Sequence, residues 1–270
     1  SRTWRSDRII TLITDFGARD GYVGAMKGVI LGIAPRARLV DVSHEISQGR
    51  IRQASFVLES VLSYFPAGTI HLLVVDPGVG SPRRPLVVAG EGLLLVGPDN
   101  GVFEPVFRRD GDFRCWELAQ KKYRLAEVSY SFHGRDIFAP AAAHLALGAD
   151  PSDFGPPVSD PVRQAGTHNK IISQGRIVGS VIHADHFGNL ITDITSREIG
   201  MLGSDWRKLS VSLGGKTIKG ISQYYAQAKK GKLLALIGST GRLEVAANLD
   251  SALEIIGGTA LDAEITITTT

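Results

Sequence analysis

Residues 9 to 75 alternate between two hydrophobic periods, and no other feature limits the fold so tightly. Ile9 to Thr14 is a nearly continuous apolar run, as in a strand covered on both faces. Tyr22 to Ala34 then sets Val23, Met26, Val29, Ile30 and Ile33 at helical spacing, and Pro35 ends it. A second strand is expected from Arg38 to Val42. Ile51, Ala54, Val57, Leu58, Val61, Leu62 and Phe65 make the apolar stripe of a second helix, which Pro66 and Gly68 stop. Ile70 to Val75 is a third strand. Strand, helix, strand, helix, strand predicts a mostly parallel sheet with crossover helices. Leu86 to Ala89 and Leu93 to Val96, joined by Gly-Glu-Gly, read as a hairpin, and the alanine-rich run from Pro140 to Leu147 reads as a helix.

The pattern changes after LGADPSDFGPPVSDP, which closes at Pro161. Short β runs follow at Arg176 to His183, Leu190 to Ile194, Lys208 to Leu213, Thr217 to Lys219, Leu233 to Ile237, Leu243 to Ala246 and Ala263 to Thr268. Gly214-Gly215 is a hairpin turn, and helical pattern is confined mainly to Tyr224 to Lys229. The expected organisation is an N-terminal α/β domain over 7–160, a linker over 161–172, and a smaller all-β, barrel-like domain over 173–270. With 270 residues, 43% of them hydrophobic, both cores can be filled.

Several function classes fall away. A net charge of +3, with no Lys/Arg run longer than a pair and Lys-Lys pairs only at Lys121 and Lys229, does not imply a nucleic-acid partner. One cysteine, Cys115, allows no internal disulfide or CxxC motif and fits a reducing compartment. No apolar run approaches the roughly 18 to 20 residues of a membrane helix, and SRTWRSDR lacks the apolar segment of a signal peptide. The expectation is a soluble, cytoplasmic protein with no membrane partner. Neither GxGxxG after the first strand nor GxxxxGK[ST] occurs, so phosphate cradling has no support. Strand alternation would put His183 and Asp185 on the face opposite His186, and no third cluster follows, so no metal is expected.

The chemistry gathers at strand ends. Asp76 closes the run TIHLLVVD, where open α/β sheets place ligands. Pro77, Gly78 and Gly80 make a turn that brings Arg83 and Arg84 within reach. The same residues suit a strand, a turn and a surface ion pair, and spacing leaves both arginines open as the partner. Asp15, ending the first strand, suits the vicinal hydroxyls of a ribose or the N-cap of the helix that follows. His133, in FHGRD, is the best general acid/base candidate, with a purely structural histidine as the alternative. Asp185, Phe187 and Asn189 in HADHFGNL supply a carboxylate, an aromatic plate and an amide, suited to an amino-acid head group or a purine; a β-turn accounts for them equally.

Seven ordered motifs resemble one family: TDFGARDGYVGAMKG at 14–28, DVSHEI at 41–46, VVDPGVGSPRR at 74–84, GPDNGVF at 97–103, FHGRDIFAPAAAHLA at 132–146, DHFGNLITDI at 185–194 and GSTGRLEVAANLDSA at 238–252. They are similar to those of the S-adenosyl-L-methionine (SAM) hydroxide adenosyltransferases, or adenosine-forming SAM hydrolases, which are related to fluorinases and chlorinases. The resemblance implies an α/β domain followed by a β-barrel, and homotrimers with active sites between the N-domain of one subunit and the C-domain of the next. It also implies attack of water or hydroxide on the 5′ carbon of SAM, giving adenosine and L-methionine, with SAM as substrate and no cofactor. By motif position, Asp76, Arg83 and His133 handle the water and Asp15 holds the ribose. Asp185 and Asn189 contact the methionine portion and its neighbourhood, with Phe187 and Phe132 inside matching motifs. Ser239, Glu244 and Asn248 lie on the segment matching the adenine-edge and methionine-side loop. The halogenases carry tyrosine at the position of Asp76, and the fluorinase adds serine at that of Gly134 and an insertion; none of these stands here. A carboxylate repels a halide in a poorly solvated pocket, so Asp76 favours water as nucleophile. The competing readings are a SAM-dependent halogenase and a non-catalytic SAM- or adenosine-binding protein.

Overall fold

Continuous apolar strands need cover on both faces, and the computed structural model shows how they obtain it. It describes residues 8–109, 111–164, 170–258 and 260–269. The first seven residues of the N-terminal segment, and 165–169 of the expected linker, lie outside these ranges. The chain divides into two compact units, Ser1–Gln164 and Ala165–Thr270.

In the first unit, β1 (Ile9–Thr14) leads to helix α1 (Tyr22–Ile33), β2 (Arg38–Ser43), helix α2 (Ile51–Val61) and β3 (Thr69–Val74). The hairpin β4 (Pro85–Gly90) and β5 (Leu93–Pro98) follows, then a short helix α3 (Glu104–Arg109), β6 (Arg114–Glu117), helix α4 (Ala139–Ala146) and a two-residue β7 (Pro157–Val158). The sheet order is β2-β1-β3-β5-β4-β6-β7. The first four strands are parallel, as the alternation predicts, and the hairpin turns the rest antiparallel.

β3 is buried along its whole length. Its residues alternate between two cores. Ile70, Leu72 and Val74 join Met26 and Ile30 of α1 and Ala142 of α4, whereas Leu73 and the following Val75 join Leu58 of α2 and Val106 of α3. Each such leucine or isoleucine withdrawn from water contributes roughly 1.5 to 3 kcal/mol. Register pairs Thr14 of β1 with Val74 of β3, so Asp15 and Asp76 emerge from neighbouring strands at the same edge of the sheet.

The second unit is antiparallel. β8 (Ile171–Ser173) pairs with β9 (Arg176–Ala184), which is followed by β10 (Leu190–Thr195), helix α5 (Ser196–Gly200), β11 (Leu209–Leu213) and β12 (Lys216–Lys219). β13 (Leu233–Ile237), β14 (Arg242–Ala247), helix α6 (Ala252–Ile256) and β15 (Glu264–Thr269) complete it. The path β12-β11-β15-β9-β10-β14-β13 is nearly closed, because Ser222, just past β12, bridges to Leu236 of β13. The Gly214-Gly215 turn has φ +55° and +72°, the left-handed pair that a two-residue hairpin requires.

The structure corrects one helical expectation and adds elements. Tyr224 to Lys229 is one 3-10 turn at Tyr225–Gln227, not a helix, since its residues bury no apolar face. The expected helix at Pro140 begins with a π turn, Gly134–Phe138, in which the Ala139 N–H reaches back to the Gly134 carbonyl. No helix among the described residues is long and apolar enough to cross a membrane.

Candidate active site

Three side chains from separate parts of the first unit meet beyond the end of β3. Arg83 donates through Nε to both oxygens of Asp76, at 3.0 Å each, and through Nη2 to Asp76 Oδ2. The same Nη2 donates to His133 Nδ1 at 2.9 Å. Both side chains of the ion pair are buried, 10% exposed for Arg83 and 5% for Asp76. Arg84 turns elsewhere, donating to Asp99 at 2.9 Å and Asp160 at 2.8 Å. The choice that spacing leaves open is therefore made by the fold. Arg83 also lies over the Phe138 ring, 5.2 Å from its centroid, so the guanidinium is held by an aromatic face as well as by its acceptors.

The turn that carries Asp76 to Arg83 is tight. Gly80 has φ +78°, and a Cβ there would stand 2.5 Å from the Tyr130 carbonyl oxygen, on the segment leading to His133. Asn100, in GPDNGVF, donates to the Val75 carbonyl at 2.9 Å and fixes the peptide that precedes Asp76. Burial and the Arg83 cation hold the His133 imidazole below its ordinary pKa, so the ring is neutral at neutral pH. Arg83 can only donate, so Nδ1 accepts and the ring proton resides on Nε2.

Asp15 does not cap α1, whose N-terminus at Gly21 has no side-chain cap. Its Oδ2 accepts the Gly49 N–H at 2.8 Å instead. Burial raises its pKa, and the charge of Asp76 raises it further, against the pull of the Gly49 N–H. Phe132 packs edge-on against Phe16 and Tyr22, with centroids 5.7 and 5.3 Å away, forming an aromatic wall on the same turns. Gly134 fits where little else would: a Cβ there would lie 3.2 Å from Val74 Cγ1 and 3.3 Å from both Met26 Sδ and Phe16 Cε2.

In the second unit the expected binding residues divide. Asp185 is engaged by its own turn, accepting from the Phe187 N–H, the Asn189 N–H and Asn189 Nδ2, all at 2.9 Å. That rigid turn presents Phe187 outward, 74% exposed. Asn248 donates to the Ala228 carbonyl at 2.7 Å, a loop-holding contact. Ser239 is exposed on the turn between β13 and β14. Glu244 is 7% exposed on β14, and burial, then the charge of Asp185, raises its pKa. A Cβ at Gly238 would overlap its carboxylate, so the glycine leaves Glu244 its space.

A neutral histidine, a carboxylate and a guanidinium at a strand end can order and deprotonate water, and a nearby second carboxylate can accept hydroxyl hydrogen bonds. DVSHEI also contributes, through His44 and the loop to Gly49; its strand-end position beside Asp15 was the available signal.

Known proteins resemble the chain along most of its length. A family model described as the SAM hydroxide adenosyltransferase N-terminal domain matches residues 10–155, and its C-terminal counterpart matches 179–263. The chain is similar to an (R)-S-adenosyl-L-methionine hydrolase of Salinispora tropica, 38% identical with 94% of this chain and 95% of that one covered. One from Thermus thermophilus is 36% identical, with 93% and 96% covered. A fluorinase of Nocardia brasiliensis is 25% identical over 90% and 91%. The crystal structure of an uncharacterized conserved protein from Thermotoga maritima superposes with a TM-score of 0.88 at 33% identity, covering 96% of this chain and 99% of that one.

Proposed function

Because the chain belongs to the SAM hydroxide adenosyltransferase family, we propose that it hydrolyses S-adenosyl-L-methionine to adenosine and L-methionine, with Asp76, Arg83 and His133 handling the water. The observation that carries this reading is the buried carboxylate of Asp76, gripped by Arg83, which in turn holds His133. A halide would be repelled by that carboxylate, whereas a water is ordered by it.

The chemistry demands little beyond alignment. The sulfonium sulfur is already a good leaving group, so neither metal nor acid is needed to expel it, and SAM is a substrate with no cofactor beside it. A water oxygen held about 3 to 3.5 Å from the 5′ carbon, opposite sulfur, donates its electron pair as the carbon–sulfur bond breaks towards methionine. The attacking oxygen becomes strongly acidic only after the bond forms, so a weak base suffices. A His133 ring that accepts from Arg83 at Nδ1 has no basic nitrogen left, and the proton goes to Asp76. Arg83 keeps the Asp76 carboxylate aimed. Asp15 binds the ribose hydroxyls. In the second unit, Asp185, Phe187, Asn189, Ser239, Glu244 and Asn248 furnish the remaining binding groups, and Asp185 also bonds its own turn.

The homotrimer with shared sites is part of this proposal, tested by sedimentation equilibrium; the mass of a single chain would overturn it. So is a cytoplasmic location, supported by a lone buried Cys115 that needs no oxidising compartment. Incubation with SAM in heavy-oxygen water tests the reaction. Heavy oxygen in the 5′ hydroxyl of adenosine is expected. Absence of adenosine, or a chlorinated nucleoside when chloride is present, would overturn the assignment.

A further inference from the structure

Asp15 is held by a loop, residues 44–49, that contributes no group to the Asp76 cluster. Three bonds join residues 14–17 to that loop. Thr14 Oγ1 lies 2.8 Å from His44 Nδ1, the Gly17 N–H donates to the His44 carbonyl at 2.7 Å, and Asp15 Oδ2 accepts from Gly49. Gly17, with φ +67°, makes the sharp departure from β1 that these bonds require.

With a neutral imidazole, donor and acceptor counting gives the network one direction. Asp41 accepts from Lys27 Nζ at 2.6 Å and faces His44 Nε2 at 2.9 Å. A carboxylate can only accept, so a neutral His44 carries its proton on Nε2 and presents a bare Nδ1. The Thr14 hydroxyl then donates to Nδ1 while accepting the Phe16 N–H at 3.2 Å. The peptide that follows Asp15 is thereby tied, through Thr14, to the imidazole. Thr14 has no solvent exposure and the His44 side chain only 11%, so water cannot readily replace these bonds. The loop's far end, Gly49, has φ +68°, and a Cβ there would stand 3.5 Å from Cβ of Pro77, the neighbour of Asp76.

We infer that His44, through its imidazole and Thr14, is the positioning residue that aims the Asp15 carboxylate at the ribose hydroxyls. This rests on the reading of Asp15 as the ribose-holding group. Loss of the imidazole frees the strand end to rotate without removing any group that touches substrate.

The test uses adenosine and 2′,3′-dideoxyadenosine, which lacks both vicinal hydroxyls, in calorimetric titrations of the full chain. The readout is the ratio of their dissociation constants, a measure of hydroxyl recognition that general destabilisation does not shift. His44→Ala is expected to weaken adenosine binding on the order of tenfold, the scale of one misdirected charge-assisted hydrogen bond, and to leave dideoxyadenosine unchanged. Thr14→Val, near-isosteric, provides a second variant if His44→Ala does not fold, with the same expectation. Asp15→Ala is the control for the underlying reading. If it collapses the ratio while His44→Ala and Thr14→Val preserve it, the positioning role is overturned and Asp15 keeps its part. If Asp15→Ala preserves the ratio, the ribose reading fails and the inference fails with it. Equal weakening of both nucleosides in His44→Ala would mark a merely structural residue and would also overturn the inference.

Discussion

Arg83→Lys keeps the charge beside Asp76 and removes the fork, which separates what the cation does from what its geometry does. The guanidinium serves three acceptors at once: both Asp76 oxygens at 3.0 Å from Nε, and His133 Nδ1 at 2.9 Å from Nη2. A lysine has one nitrogen, which the carboxylate takes first because the site is buried. The contact with His133 is lost. One hydrogen bond to a charged group is worth about 1.5 to 3 kcal/mol, which becomes a fall in kcat of about 10- to 150-fold if it is felt in the transition state. KM should stay within about threefold, since Arg83 bonds to protein groups and not to substrate in this reading. Retention of the ion pair spares the fold most of the roughly 3 to 5 kcal/mol expected when one partner of a buried pair is deleted, as in Arg83→Ala. Steady-state methionine release against SAM concentration, with a urea unfolding curve for each variant, reads all three numbers. A wild-type kcat in Arg83→Lys would refute the argument. A raised KM with unchanged kcat would instead make Arg83 a substrate ligand.

Other expectations follow from burial and close packing. His71, 1% exposed in the middle of β3, has its pKa pushed down to about 4 by burial, with Arg109 adding to the effect. The unfolded chain binds the proton below about pH 6.5 and the folded one only below about 4, so stability falls as pH drops through that window, by on the order of 3 kcal/mol. His71→Gln should flatten that slope in urea titrations, and an unchanged slope would assign it to other groups. For catalysis, His133 lies below its ordinary pKa of 6.5, so the ring stays neutral until the pH falls through that lowered value. The acid limb of the kcat profile should accordingly fall below pH 6.5, and a limb above it would remove His133 from the cluster's working state. Gly134→Ser, which introduces the fluorinase residue, sets a Cβ 3.2 to 3.3 Å from three walls and should cost about 1 to 3 kcal/mol in unfolding free energy with no gain of halide chemistry. An undiminished unfolding midpoint would show that Val74, Met26 and Phe16 repack freely.

Much of the architecture was legible because long apolar runs are decided by burial. β1, β3 and the hairpin β4–β5 lie within one or two residues of their expected ends, as do the longer strands of the second unit. Shorter pieces escaped. β6 is RCWE and β7 only Pro-Val, too brief for a period to show; both exist because the outer face of the hairpin needs partners. Helices α5 and α6 carry a readable signal at their N-termini. Thr195 with Glu198 and Ser251 with Glu254 have the Ser/Thr-x-x-Glu spacing, and in the structure each hydroxyl accepts the N–H three residues on. At the site, Asp76 and His133 could be named from strand ends and side-chain chemistry, but the partner of Asp76 could not. Arg83 and Arg84 are adjacent, and only the packing of Arg84 against Asp99 and Asp160 sends them apart. Asp185 is a different case: its carboxylate could be named from the sequence, but the three bonds it accepts within its own turn depend on a backbone path that spacing does not show.

The π turn at Gly134–Phe138 bears on how such a site can change. A π turn is an α-helical turn holding one surplus residue, and successive residues of a helix are rotated by about 100°. Deletion of a single residue within GRDIF would let the turn relax to a regular helix continuous with α4 and would swing everything before it around the axis by about that angle. His133, immediately upstream, would leave Arg83 although no site residue had been replaced. Point substitution can tune this cluster gradually, but a change in chain length at the helix entrance acts as an on-or-off step on the contact between Arg83 and His133.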